Sequence, residues 1–423
     1  MKRGYLSFMS IMIAAVMTFA ICRQAIAEQE TPKTAVATAP TITLEVIRAF
    51  DELLPGLSDE DMRQILDVAE KIISTKLSDE VRIVFHDNGV MPLADFFNSV
   101  DYRSAKWYQE ALKSKYDKTL GEKAPVFMDP EYKARVVGFL KQWDLNSLKD
   151  FFPDKETKSY EEAFDNLMAV YHQKIKWQKT LKTKNGEPII IDPPAPYQSY
   201  VEWVQLMLTQ NKYDIVITNG FITYDNLQRP YPHSICKHAK VGGSSFTSPG
   251  RKPMDGKSLM INIFESYSGV EGISKPDADL SADMKNKIMG AFYFAHEFGH
   301  AFYYLPDVYN HGPACLMNTT PGMSDADGYE AIAGEQLPCA KCRPWIVARI
   351  KAYRAELAFD SGDYTKAGNL YLEAARETPK GIDTNYKYYI QTLFSKASEA
   401  FMKGNNFSGM KKVSDSRRKF EED

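Results

Sequence analysis

The stretch SADMKNKIMGAFYFAHEFGHAFYYLPDVY, residues 281–309, decides how this chain is read. Its apolar residues recur three and four apart, which predicts a helix beginning near Ser281 and ended by Pro306. On such a helix His296 and His300 lie one turn apart on one face, so both imidazoles can reach one zinc ion. Glu297 stands beside them, placed to take a proton from a water whose pKa the ion lowers toward ~7. A catalytic zinc takes three protein ligands and keeps one position open. Pro306 turns the chain and Asp307 follows at once, which makes Asp307 the expected third ligand. His311, Glu330, Glu335 and Cys315 are the other candidates.

Working outward, YDIVIT (213–218) and SLMINIF (258–264) read as buried strands, separated by the Gly/Ser/Pro-rich loop VGGSSFTSPGRKP. GEPIIIDPPAPY (186–197) reads as an extended connector. Upstream, TLEVIRAFDELLPGL and SDEDMRQILDVAEKIISTKL carry apolar residues at helical spacing, Ser58 with Asp61 resembles a helix start, and VRIVF (81–85) suits a strand. The expected fold class is α+β, with a helical region at 42–185, the zinc domain at 186–346 and a helical segment at 347–423.

Residues 1–27 have the plan of a secretory signal. Lys2 and Arg3 precede an apolar run, and Ala25-Ile26-Ala27 forms a small-residue cleavage site. Residues 28–41 are a Pro/Thr/Ala-rich, flexible lead. The protein is therefore expected to be exported, periplasmic or secreted. No other run is long and apolar enough for a membrane span after processing. The formal net charge of −3 gives no basic excess, which argues against a nucleic-acid partner.

Four cysteines follow the signal: Cys236, Cys315, Cys339 and Cys342. An even number in an exported chain fits two disulfides, whereas Cys339-x-x-Cys342 also fits a metal knuckle, so both readings stay open. Ala355-x-x-Ala358, Gly362-Asp363-Tyr364, Ala367, Tyr371, Ala374 and Pro379 match most tetratricopeptide positions, and Ala397-x-x-Ala400 with Gly404 begins a second copy. Fewer than three repeats rarely stand alone, so this pair is expected to pack on the preceding domain and to offer a surface for a protein partner.

The pattern HEFGHAFYYLPD resembles the metzincin clan of zinc peptidases, whose pattern is H-E-x-x-H-x-x-G-x-x-H/D followed by a methionine turn. Cys315-Leu316-Met317 looks like that turn. Tyr303 stands where the clan has glycine, and Asp307 falls one residue late. The longer spacing, with Leu305, Asp307 and Tyr309, is similar to the immunoglobulin-A-peptidase group, approximately HExxHxxxLxDxY. Cys315-x-Met317 followed by Cys339-x-x-Cys342 is similar to archaemetzincins, which bind a second, structural zinc. Their remaining cysteine is missing here, and Cys236 is the candidate replacement.

The resemblance implies a small mixed sheet above a cleft, the motif helix beneath it, and a protein or peptide substrate extended along the sheet's edge strand. Glu297 would act as general base and then return the proton to the leaving amine, while Met317 would support the site by packing. Two rivals come from other classes. One is an envelope binding or assembly protein that uses the tetratricopeptide-like segment and keeps a vestigial zinc site. The other is a zinc hydrolase of a non-peptide amide such as a cell-wall crosslink.

Overall fold

Five segments rich in β-branched and apolar residues pair into one sheet of order β2-β1-β3-β5-β4. They are β1 (Thr41–Phe50), β2 (Arg82–Pro92), β3 (Ile215–Thr218), β4 (Gly243–Thr247) and β5 (Lys257–Asn262). All neighbours run parallel except β4, an antiparallel edge strand on β5. The computed structural model describes residues 39–422 apart from 107–128, 184, 191–194, 225–228, 237–242, 248–256, 265–279, 309–310, 312–314, 319–328, 331–332, 334–338 and 381–385. The signal segment, the lead up to residue 38, Tyr309 and Glu335 lie outside the described residues.

The sheet is covered on both faces, as parallel sheets require. Ile42, Leu44, Val46, Ile215, Ile217, Leu259 and Ile261 face one core, built with Met62 and Ile65 of α1 (Asp59–Lys71) and with the motif helix. Ile47, Ala49, Val216 and Met260 face the other core. There they meet Phe164, Leu167 and Met168 of α2 (Tyr160–Gln178) and Trp203, Leu206 and Met207 of α3 (Tyr200–Thr209). The mixed α/β class agrees with the expectation.

The first strand does not. TLEVIRAF was expected to be helical and is β1, at the heart of the sheet between β2 and β3. Residues 41–185 supply two strands of this sheet besides helices, and Thr41–Asp423 form one compact unit. The physical reason is ambiguity of period. Ile42, Leu44 and Val46 alternate as a strand should, but Ile47, Phe50 and Leu54 lie three and four apart and mimic a helix face. Downstream, Ser58 caps α1 by accepting from the Asp61 amide at 3.0 Å, as its spacing suggests.

The motif helix begins at Ser281, whose side chain accepts from the Met284 amide, and continues as α4 (Ala282–Ile288). It passes through a π-helical stretch, Met289–Ala295, and ends as α5 (His296–Tyr303). Gly290 lets this helix touch α1: a Cβ there would stand 2.6 Å from the Ile65 carbonyl oxygen. Among the described residues the chain continues in α6 (Arg343–Asp360), α7 (Tyr364–Glu377), α8 (Tyr386–Lys403) and α9 (Phe407–Glu422). The first half of α6 (Trp345, Ile346, Ile350) lies in the motif-helix core, and its second half (Ala352, Ala355, Ala358) in the core of the helical stack. The stack thus packs on the sheet region through one continuous helix.

Candidate metal centres

The helix ends in a left-handed turn at Tyr304, φ 56° and ψ 28°. That turn throws the next peptide back over the helix, so the Leu305 amide donates to Gly299 O at 3.1 Å. The Leu305 carbonyl then accepts from His300 Nδ1 at 2.5 Å, and Pro306 directs Asp307 onto the histidine face.

The result is a triangle of donors. His296 Nε2 and His300 Nε2 are 3.0 Å apart, and Asp307 Oδ1 lies 3.4 and 3.5 Å from them. A tetrahedral ion with bonds of about 2.0–2.1 Å needs ligand separations of about 3.3 Å, so the three residues fit a zinc-sized cation. His296 Nδ1 is bound to Leu316 O at 2.8 Å, so both imidazoles donate to carbonyls and turn bare Nε2 atoms inward. Asp307 thus lies beside both imidazoles, while Glu330 is exposed and joins neither donor group.

Glu297 is 7% exposed, and its Oε2 has no hydrogen-bond partner among the described residues. Burial pushes this carboxyl up to about 8; His296 opposes the shift and Asp307 adds to it. Edge strand β4 passes directly against it, because a Cβ on Gly243 would lie 2.6 Å from Glu297 Oε1. Met317 packs under the helix, with Sδ 2.7 Å from where a Gly299 Cβ would be. Both contacts require glycine by close approach.

A second donor group lies on the chain just beyond. His311, Cys315, Cys339 and Cys342 converge, with Cys315 Sγ 3.6 Å from Cys339 Sγ and 3.9 Å from Cys342 Sγ. His311 Nδ1 is 3.7–3.8 Å from all three sulfurs. Disulfide sulfurs sit at about 2.05 Å, so these thiols are unbonded, whereas a tetrahedral ion with metal–sulfur bonds of about 2.3 Å sets sulfurs about 3.8 Å apart. His311, considered for the first centre, belongs to this one.

Cys236 does not belong to it. It is a free thiol that burial pushes up to about 12, near Lys174, whose Nζ donates to Ser234 O at 3.3 Å. The signal for His311 was in the sequence as H-x-x-x-C, but it competed with an equally reasonable place in the catalytic set. The carbonyls of Leu305 and Leu316 had no signal, since every residue carries one. No protein-family model, curated protein or solved structure matches this chain.

Proposed function

We propose that the protein is an exported, zinc-dependent metallopeptidase. One observation carries this reading: three donors at zinc-compatible spacing, beside a buried carboxylate with an unpartnered oxygen, against the antiparallel strand that ends the sheet among the described residues. His296, His300 and Asp307 hold the ion, and Leu316 O and Leu305 O fix the histidine tautomers. When bound, zinc supplies Lewis acidity toward a water and a carbonyl oxygen. Glu297 accepts the water's proton and passes it to the departing amine, and its burial keeps it basic enough for that shuttle. Strand β4, last in the sheet among the described residues and close against Glu297 at Gly243, would offer main-chain donors and acceptors to an extended peptide. Met317 stiffens the floor by packing on Gly299.

The His/Cys group is assigned to a second, structural zinc, and the α6–α9 stack to a protein partner in the manner of tetratricopeptide helices. The test is incubation of the purified protein with casein and with peptidoglycan, with and without a chelator, alongside Glu297→Gln. Chelator-sensitive casein cleavage that falls at least about a hundredfold in the Gln variant, with zinc content unchanged, is expected. Cleavage of peptidoglycan alone would transfer the activity to the cell-wall amide, and no cleavage of either would favour the binding protein.

A further inference from the structure

The two donor groups share one buried turn. Asn318 N donates to Cys315 O at 3.0 Å, closing Cys315-Leu316-Met317-Asn318 into a single unit, and all four residues are buried. Each part of it reaches a different place. Cys315 Sγ points into the His/Cys group. Leu316 O receives His296 Nδ1 at 2.8 Å. Met317 O receives the Val308 amide at 2.9 Å, and Val308 is the residue next to Asp307. Met317 Sδ lies against Gly299 between the two histidines.

We infer that the His311/Cys315/Cys339/Cys342 centre controls the cation affinity of the His296/His300/Asp307 centre, by fixing the 315–318 turn. This rests on the proposed reading of both groups, the His296/His300/Asp307 trio and the His/Cys quartet, as metal centres. The turn closes on itself through this hydrogen bond and pairs with Val308 through Met317 and Asn318. Its link to the rest of the fold on the cysteine side is Cys315, whose partners Cys339 and Cys342 precede and open α6. An ion there ties the turn to the start of a helix that is itself buried in the core. Without it, four thiol or imidazole donors lose their common anchor, and the Leu316 carbonyl and the Val308 contact are free to shift. Outer partners of this kind change metal affinity about 10–100-fold. Binding linkage is reciprocal, so the first centre must raise the second's affinity by the same factor.

The test uses the full chain, stripped of metal and kept reduced, and titrated with zinc against a chromophoric chelator and with cobalt(II) by absorption. Cys339→Ser is the informative variant, because it weakens the His/Cys centre without touching the turn. Wild type is expected to take up two equivalents cooperatively. Cys339→Ser is expected to bind metal at the His/Cys group more weakly, with a reduced sulfur-to-cobalt charge-transfer band, and at the trio at least tenfold more weakly than wild type. Asp307→Ala is expected to weaken the charge-transfer site by the same factor.

An unchanged trio affinity in Cys339→Ser overturns the inference. Should that variant fail to fold, the Asp307→Ala titration and the wild-type cooperativity decide it, and independent binding overturns it. If wild type takes up one equivalent, always with the sulfur band, the metal reading of the trio fails. Two independent equivalents leave that reading standing and remove only the coupling.

Discussion

His296 Nε2 and His300 Nε2 face each other at 3.0 Å, while both Nδ1 atoms are committed to carbonyl oxygens. A carbonyl only accepts, so each Nδ1 keeps its proton and each Nε2 presents a lone pair. Two imidazole Nε2 atoms and the Asp307 carboxylate then meet at one point, a set of donors that a cation among them would satisfy.

A metal ion bound by this trio should stabilise the fold. Dialysis against a chelator should lower the unfolding temperature, and added zinc should restore it in proportion to its excess. A ligand at a thousand times its dissociation constant adds about 4 kcal/mol. Calorimetry of the stripped and zinc-loaded protein checks this, and equal melting temperatures would mean that the trio holds no metal ion.

Glu297 gives the metal-free protein a specific pH dependence. Burial raises this carboxyl from 4.5 to about 8, so the folded chain resists its ionisation while the unfolded chain does not. The sign is that of an acid raised on folding: its charge costs stability, and the cost accumulates as pH rises from about 4.5 toward 8. Urea midpoints of the chelated protein should fall across that window, and Glu297→Gln should flatten the fall. An identical slope in the two proteins would show that Glu297 is not desolvated as found here.

The motif helix and Asp307 were legible because a 3.6-residue period, a proline and a carboxylate each act locally. The central strand was not, since Ile47, Phe50 and Leu54 give the same window a second period and only pairing with β2 and β3 decides between them. The His/Cys group was half legible for another reason. Cys339 and Cys342 announce themselves by spacing, but choosing His311 over Cys236 depends on where the chain runs in space. The left-handed conformation of Tyr304 was hidden altogether, because tyrosine carries no turn signal.

Gly243 should be intolerant of any side chain. A Cβ at 2.6 Å from Glu297 Oε1 and 2.9 Å from its Cγ must push either the edge strand or the carboxylate aside. Overpacking of this kind costs about 1–3 kcal/mol. Gly243→Ala is expected to keep its bound zinc, because none of the three donors is touched, yet to lose at least about tenfold in peptide cleavage as Glu297 is displaced. Zinc content by elemental analysis and casein turnover, measured on the same preparation, separate these effects. Full activity in the variant would mean that β4 does not lie over the carboxylate.

Tyr304 sets a contest between backbone strain and packing. Its φ of 56° costs an L-residue roughly 1 kcal/mol. Its ring offsets this by lying 4.3 Å from Lys257 Nζ, 5.1 Å from the Arg349 guanidinium carbon and 5.0 Å from the Tyr389 ring. Tyr304→Ala loses the packing and keeps the strain, whereas Tyr304→Gly loses the packing and sheds the strain. The glycine variant should therefore be the more stable of the two by about 1 kcal/mol, the reverse of the order inside a helix. Urea denaturation of both variants measures the difference. Alanine equal to or better than glycine would remove the left-handed turn, and with it the account of how the Leu305 carbonyl and Asp307 are brought onto the histidine face.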